Sequence, residues 1–251
     1  MVTVKSEREI QLMRAAGKTT AKILDAMCQV AKPGVSTWDL DQLAEKMCKE
    51  AGVTPAFKGY HGFPACVCIS VNDEVVHGIP SKKRVLKDGD IVGLDFGVIQ
   101  DGWFGDTARS VAIGKVTPAA EKLLKVTQES LMKGIAEAKV GNRVFDIGHA
   151  VQSHAEAAGY SVVREFVGHG IGRALHEDPQ VPNYGPKGKG MVLKAGMVIA
   201  IEPMINAGRP DVRVLGDGWT AVTTDKSLSA HFEHTVAITE AGPIILTALD
   251  G

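Results

Sequence analysis

"VLKDGDIVGLD" (Val85–Asp95) and "VLKAGMVIAIE" (Val192–Glu202) repeat one pattern 107 residues apart. Each opens Val-Leu-Lys-x-Gly, passes through an apolar run and ends on a carboxylate, Asp95 in one and Glu202 in the other. At the same shift "AKPGVSTWDL" (Ala31–Leu40) lies over "AKVGNRVFDI" (Ala138–Ile147), and Ala51-Gly52 lies over Ala158-Gly159. The register holds throughout, while the stretches between match poorly, as in a diverged duplication. Two copies are too few for a solenoid. They predict one domain over residues 1–251, with halves of about 1–110 and 111–251.

Each half reads alike. Ser6 and Glu9 form a capping box ahead of a helix with inward positions Ile10, Met13, Gly17, Thr20, Leu24 and Met27. Pro33-Gly34 ends it, and Ser36 or Thr37 starts a second helix that stops near Gly52. In the second half Thr117 caps a helix with Pro118 in its first position. That helix is expected to run to about Gly141, and the next to Gly159. β-rich segments follow each helix pair. Helices gathered before strands predict an α+β fold with a largely antiparallel sheet.

Composition bounds the function. Net charge is −1, with no basic excess for nucleic acid and no charged tail. Uninterrupted apolar runs reach about five residues, such as Met197–Ile201, far short of a membrane span. The N-terminus "MVTVKSEREI" has no signal-peptide core. Cys28, Cys48, Cys66 and Cys68 form no CxxC pair, which argues against a disulfide framework or zinc ribbon and for a reducing, cytoplasmic setting.

The carboxylates carry the first chemical signal. In "DFGVIQDGWFGDTARS" (Asp95–Ser110), Gln100-Asp101-Gly102 marks a turn between two strand-like arms. A turn centred between Gln100 and Asp101 sets Asp95 opposite Asp106; a two-residue Asp101-Gly102 turn sets Asp106 opposite Gly97. Either way the two acids share a face, where they repel unless protonated or bridged by a cation. In the second half Glu202 and Glu233 are equidistant from the Asp217/Gly218 junction. Pro203, Gly208 and Pro210 argue against one uninterrupted hairpin between them.

"EFVGHGIGRALHEDP" (Glu165–Pro179) adds two histidines, His169 and His176, and Gly168, Gly170 and Gly172. Three glycines disfavour a helix at roughly 1 kcal/mol each and in a strand mark close approach of another backbone or a ligand. A surface loop with two stray histidines is the plain alternative. Asp95, Asp106, Glu202, Glu233 and His169 together suit one or two divalent cations of the manganese, iron, cobalt or zinc kind. Four unrelated salt bridges are the competing explanation.

With "YHGFP" (60–64), "SVNDEVVHGIP" (70–80), "LDFGVIQDGWFGDTARS" (94–110), "FVGHGIGRALHEDPQVPNYG" (166–185), "IEPM" (201–204) and "FEHTVAIT" (232–239) in this order, the chain resembles the methionine aminopeptidases of the short, bacterial type I form. The resemblance spans nearly the whole sequence. It implies a pita-bread fold: two pseudo-symmetric halves, a curved antiparallel sheet and helices packed on one face. It implies that Asp95, Asp106, His169, Glu202 and Glu233 ligate two divalent metal ions, with Asp106 and Glu233 bridging both. His77 and His176 would bind the scissile amide and stabilise the tetrahedral intermediate, and Glu202 would shuttle the proton. The implied reaction is attack of a metal-bridging hydroxide on the first peptide bond. It removes the initiator methionine of nascent chains with a small second residue. Tyr60, Phe63, Cys68, His77 and Trp219 match methionine-pocket positions, while Leu175 stands where relatives often carry an aromatic. The resemblance also allows a monovalent cation near Asn72 and Ser229, and implies a cytoplasmic monomer working near the ribosome exit.

Other residues invite plainer readings. His61, His149, His154, His231 and His234 are expected not to be ligands, and Met191, Met197 and Met204 to be core or pocket wall. The lysines of "GPKGKG" (185–190) read as a solvated loop, and Cys66 and Cys68 share a face if their run is a strand. Two rivals stand beside the aminopeptidase. A proline-specific pita-bread hydrolase usually carries a sizeable preceding domain, and only a few residues precede the first helix here. A non-catalytic binding module would typically lose ligands, and all five positions are filled.

Overall fold

A computed structural model describes residues 2–249. In chain order the first half comprises α1 (Glu7–Val30), α2 (Thr37–Ala51), β1 (Thr54–Pro55), β2 (Val67–Val71), β3 (Glu74–Val76), β4 (Ile91–Gln100) and β5 (Trp103–Ala112). The second half opens with α3 (Pro118–Glu137), α4 (Val144–Ala157), β6 (Ser161–Val162), β7 (Gly168–Gly170) and β8 (Glu177–Val181). It continues with β9 (Val198–Ile201), β10 (Met204–Asn206), β11 (Val212–Val214), β12 (Ala221–Thr223), β13 (Ser229–His231), β14 (Glu233–Thr239) and β15 (Gly242–Ile245).

The helix starts follow the caps. Ser6 and Glu9 cap α1 reciprocally, Ser36 and Asp39 cap α2, and Thr117 accepts the Ala120 N–H ahead of Pro118. Arg143, the counterpart of Ser36, has no acceptor; α4 keeps only the return bond, Arg143 N–H to the Asp146 carboxylate at 2.7 Å. The second-half helices stop short of the predicted glycines, at Glu137 and Ala157. Gly141 (φ 88°) and Gly159 (φ 89°) instead take left-handed turns beyond the helix ends, as glycine does readily.

Strand pairing is antiparallel throughout. The main sheet runs β1-β4-β5-β14-β9-β7-β8, with β2 also on β4 and β15 also on β14. The repeat is visible in its pairings: isolated bridges join Ser36 to Val85 and Arg143 to Val192, each partner shifted by 107. β4 with β5 and β9 with β14 are corresponding hairpin arms, and β5 meets β14 where the halves join. Asp101 (φ 52°) and Gly102 (φ 76°) form the two-residue turn, and Gln100 faces Trp103. Between Glu202 and Glu233 the chain makes the expected excursion, through β10 to β13 and two further small sheets.

The helices cover one face. Leu24, Met27 and Leu40 pack with Ile69, Leu94 and Phe96, while Leu131, Ile135 and Ile147 pack with Ile199, Ile201 and Val236. Each such buried side chain contributes about 1.5–3 kcal/mol of burial free energy. Alternation then turns Asp95 and Asp106 away from the helices, toward the opposite face. Two expectations need correction. Met191 is 44% exposed, whereas Met197 and Met204 are buried. Cys66 precedes β2, so strand parity does not govern it; it packs in the helix-side core while Cys68 turns to the other face.

Candidate active site

One row of the main sheet collects the chemistry. Cys68 on β2 faces Asp95 on β4, Asp95 faces Ala108 on β5, and Ala108 faces Glu233 on β14. The β9–β14 register, with Ile201 facing His234, carries on to set Glu202 opposite Glu233. Asp106 sits two residues from Ala108, opposite Gly97. His169 enters from β7, whose Gly170 faces Ile199 of β9. Ala108 puts only a methyl group between Asp95 and Glu233 in the row.

The glycines around His169 are explained by crowding. A Cβ on Gly168 would strike the Ala200 carbonyl, one on Gly170 the Asp178 carbonyl, and one on Gly172 the Lys5 and Glu177 side chains. Their absence lets β7 lie close against both neighbours.

Ligand-type atoms of Asp106, His169 and Glu233 lie within 4.8 Å of one another. His169 Nε2 is 3.9 Å from Asp106 Oδ2 and 3.5 Å from Glu202 Oε1. His169 Nδ1 lies 2.9 Å from the Gly170 carbonyl, which can only accept, so Nδ1 carries the proton and Nε2 presents a lone pair to the carboxylates. Burial, and then the His176 ring, hold His169 down at about 3. Burial drives Asp95 up to about 7 and Glu202 up to about 8. Burial raises Asp106 and Glu233 well above the carboxylate range, and the neighbouring acids add to it. Asp95 Oδ1, Asp106 Oδ1 and Glu233 Oε1 are buried without a hydrogen-bond partner. Four acids and an imidazole lone pair with orphaned oxygens form a donor set of the chemistry that suits a divalent cation.

Around this cluster lies a cavity of about 320 Å³, which all the predicted pocket residues line: Tyr60, Phe63, Cys68, His77, His176 and Trp219. Phe63 and Trp219 meet edge to face at 5.2 Å. Leu175, buried, supplies wall where an aromatic was the alternative. His77 follows β3 with φ 62°, a left-handed backbone that turns its ring inward between Phe166 (5.3 Å) and Trp219 (6.4 Å). Burial, then His231 and His176, lower it to about 4. The Tyr60 hydroxyl is 2.7 Å from His176 Nδ1, and the His176 ring centre is 4.3 Å from that of His169.

Phe57 and Phe166, outside the predicted set, also line the cavity, and Met204 lines it as expected. His231, expected not to be a ligand, lies beside the cluster. Its Nε2 is buried, without a hydrogen-bond partner, 3.5 Å from Glu202 Oε2. Its position two residues before Glu233 was the available signal, since strand parity sends both the same way. His61 lines the mouth; His149 and His154 sit on α4, and His234 points to the helix side, 2.9 Å from Thr247 Oγ1. Asn72 and Ser229 are adjacent, Ser229 N–H donating to the Asn72 carbonyl at 2.9 Å. A second acidic group, Asp41, Glu45 and Cys66, is already committed: Asp41 accepts the Cys66 and Val67 N–H groups, and Glu45 pairs with Lys58.

Residues 11–240 match the model of metallopeptidase family M24, and the chain belongs to that family. Within it, the chain falls with the methionine aminopeptidases. It is 53% identical over 247 residues to a methionine aminopeptidase of Clostridium acetobutylicum, covering 98% of this chain and 99% of that protein. It is 47% identical to the Escherichia coli methionine aminopeptidase, covering 98% and 94%. The crystal structure of a methionine aminopeptidase from Rickettsia prowazekii superposes with a TM-score of 0.97 at 46% identity, over 99% of this chain and 100% of that one. A prolidase from Pyrococcus horikoshii is more distant, with a TM-score of 0.78 at 25% identity over 64% of its own length. The pita-bread architecture is therefore established. Among the described residues no helix is long and apolar enough to cross a membrane.

Proposed function

We propose that this chain is a metal-dependent aminopeptidase that removes the N-terminal methionine of nascent polypeptides and peptides in the cytoplasm, preferring a small second residue. The observation that carries it is the junction of two unlike surfaces in one cavity: a cluster of buried acids with a histidine lone pair, and an apolar recess walled by Phe63, Cys68 and Trp219. Asp95, Asp106, His169, Glu202 and Glu233 would hold two divalent ions, of manganese, iron, cobalt or zinc. Bound there, such ions lower the pKa of water and polarise a carbonyl.

The chain's own groups do the rest. The recess binds the methionine side chain and excludes water. With the Tyr60 O–H as donor to His176 Nδ1, 2.7 Å away, the proton would rest on His176 Nε2, whose N–H would meet the carbonyl oxygen of the scissile bond. A donor of this kind is worth about 3–4 kcal/mol when the oxygen becomes charged. His77, held neutral by burial, orients the same amide from the β3 side. Glu202 takes a proton at its carboxylate and returns it to the leaving nitrogen. The protein works as a monomer that meets its substrates near the ribosome, with a monovalent cation beside Asn72 and Ser229 as a further occupant.

The test is release of free methionine from Met-Gly and Met-Lys peptides by chelated protein resupplied with each metal singly. Release that needs metal and favours Met-Gly is expected. Folded protein that binds peptide yet releases nothing with any metal would sink the proposal.

A further inference from the structure

The proposed mechanism leaves the buried lysine unused. Lys5, ahead of α1, is 6% exposed, and its Nζ lies 2.7 Å from Glu177 Oε2. The Thr3 hydroxyl donates to the same oxygen at 2.6 Å, and Lys5 Nζ also donates to Thr3. The Lys5 N–H is fixed on the Gly196 carbonyl at 2.7 Å. Residues 2–6 thus lie as a strap across the β7–β8 connection.

Glu177 is the residue after His176. Its second oxygen, Oε1, accepts the Arg173 N–H at 2.8 Å and the Ala174 N–H at 3.3 Å. One carboxylate therefore ties the turn 173–174 to the strap, and His176 lies between the two tied points. Packing leaves little slack: a Cβ on Gly172 would stand 2.6 Å from both Lys5 Cε and Glu177 Oε1. Outside the strap, the turn's upstream end rests on Phe104 N–H donating to Gly172 O at 3.0 Å and on Arg173 over the Trp103 ring at 3.9 Å. Arg173 and Ala174 themselves are exposed. A desolvated ammonium is costly unless paired, so Lys5 fixes the rotamer of Glu177 far more firmly than a surface ion pair would.

We infer that Lys5 and Glu177 are positioning residues: the N-terminal strap sets the place of the His176 imidazole in the active site. The inference rests on the role proposed above for His176. Replacing Lys5 by methionine leaves Glu177 Oε2 held by the Thr3 hydroxyl alone, which loosens the carboxylate and with it the Arg173 and Ala174 N–H groups. A displacement of the imidazole by about 1 Å is enough to cost on the order of 100-fold in rate.

The experiment is a double-mutant cycle on the full chain with metal restored, K5M against H176A, measured well below the unfolding temperature. K5M is expected to lower kcat by about 10-fold to 100-fold with KM nearly unchanged, and to add less than about twofold in the H176A background. In parallel, the side-chain 15N resonances of His176, assigned by their loss in H176A, should shift or broaden in K5M while those of His77 stay in place. If K5M folds poorly, T3A makes the same measurement with a smaller expected effect, since it removes only the hydroxyl shared by Lys5 and Glu177. An unmoved His176 signal, or K5M and H176A losses that multiply, overturns the inference. H176A with the parent kcat overturns the role proposed for His176 instead, and the resonances alone then decide whether the strap positions it.

Discussion

At the join of the two halves, Glu233 of the second half faces Ala108 of the first. Asp95 faces Ala108 within the first half, and Glu202 falls opposite Glu233 within the second. Asp95 and Glu202 are repeat mates, so Ala108 and Glu233 are mates as well, and so, two residues earlier, are Asp106 and His231. The duplication therefore supplies one matched pair of acids, while the other positions of the row have diverged into acid against methyl and acid against imidazole. A symmetric row would carry a fifth carboxylate at position 108, with its own burial cost. The alanine there puts only a methyl group between Asp95 and Glu233.

The comparison breaks most sharply at Glu233. Glu233→Gln makes the second half resemble the first in lacking an ionisable group at the join. Metal affinity, read by chelator competition, should fall by more than about 100-fold, beyond the range for residues that merely support a ligand. Methionine release should fall with it. Metal-free stability should not fall, because burial pushes the Glu233 carboxyl toward its neutral form, which an amide resembles. A large drop in the metal-free unfolding temperature would mean that Glu233 acts in structure rather than in metal binding.

His231 sharpens the same comparison. Its Nε2 faces Glu202 Oε2, and Ser110 fixes its backbone from both sides, accepting the His231 N–H and donating to its carbonyl, each at 2.9 Å. His231→Gln keeps a donor at the same reach and should stay within a few-fold of the parent. His231→Leu removes it and should lower metal affinity by about 10-fold to 100-fold. Equal behaviour of the two variants would show that the imidazole only fills space.

Much of this was readable in advance, for a definable reason. Parity and repeat register are local rules, so Asp95, Asp106 and the pairing of Glu202 with Glu233 follow from counting residues along strands. The Asp101-Gly102 turn needed only its two left-handed positions to choose between the alternatives. His231 was read only as a non-ligand; parity places it on the Glu233 face, but its contact with Glu202 lies across the sheet. The shared face of Cys66 and Cys68 depended on a strand through both, and the strand begins one residue after Cys66, at Val67. The Lys5–Glu177 pair, 172 residues apart, left no trace in any pattern; only the packed fold brings it together.

The acid row also sets a pH dependence. A carboxyl with a raised folded-state value binds its proton more tightly folded than unfolded, so stability falls as pH rises through that value. Below about 6.5 the buried histidines act oppositely, since His77 and His169 are lowered to about 4 and 3 and must charge on unfolding. From pH 6.5 to 8 the acids dominate, with Asp95 at about 7 and Glu202 at about 8. Metal-free protein should therefore lose on the order of 1–2 kcal/mol across that interval. Metal-saturated protein should not, because a cation favours the ionised acids. Denaturant titrations at both ends, with and without chelator, read the difference; equal slopes would mean that the acids are not the titrating groups.

The smallest expected effect compares the halves far from the chemistry, at the matched bridges Ser36–Val85 and Arg143–Val192. Ser36 caps α2 with its own hydroxyl, accepting the Asp39 N–H at 3.2 Å, and its N–H donates to the Asp39 carboxylate in return. Arg143 offers α4 no acceptor, so that helix start depends on the bridge, on Asp146 and on a bond from Arg143 Nη1 to the Gly190 carbonyl at 2.8 Å. Ser36→Ala should cost about 1 kcal/mol, the usual value of a lost cap. Arg143→Ala should cost less than about 0.5 kcal/mol, because it removes one exposed hydrogen bond and leaves the Asp146 contact to the backbone N–H intact. Equal losses in urea titrations would mean that the arginine contributes through packing what the serine contributes as a cap. The two halves would then hold their helix starts with equal strength despite different side chains.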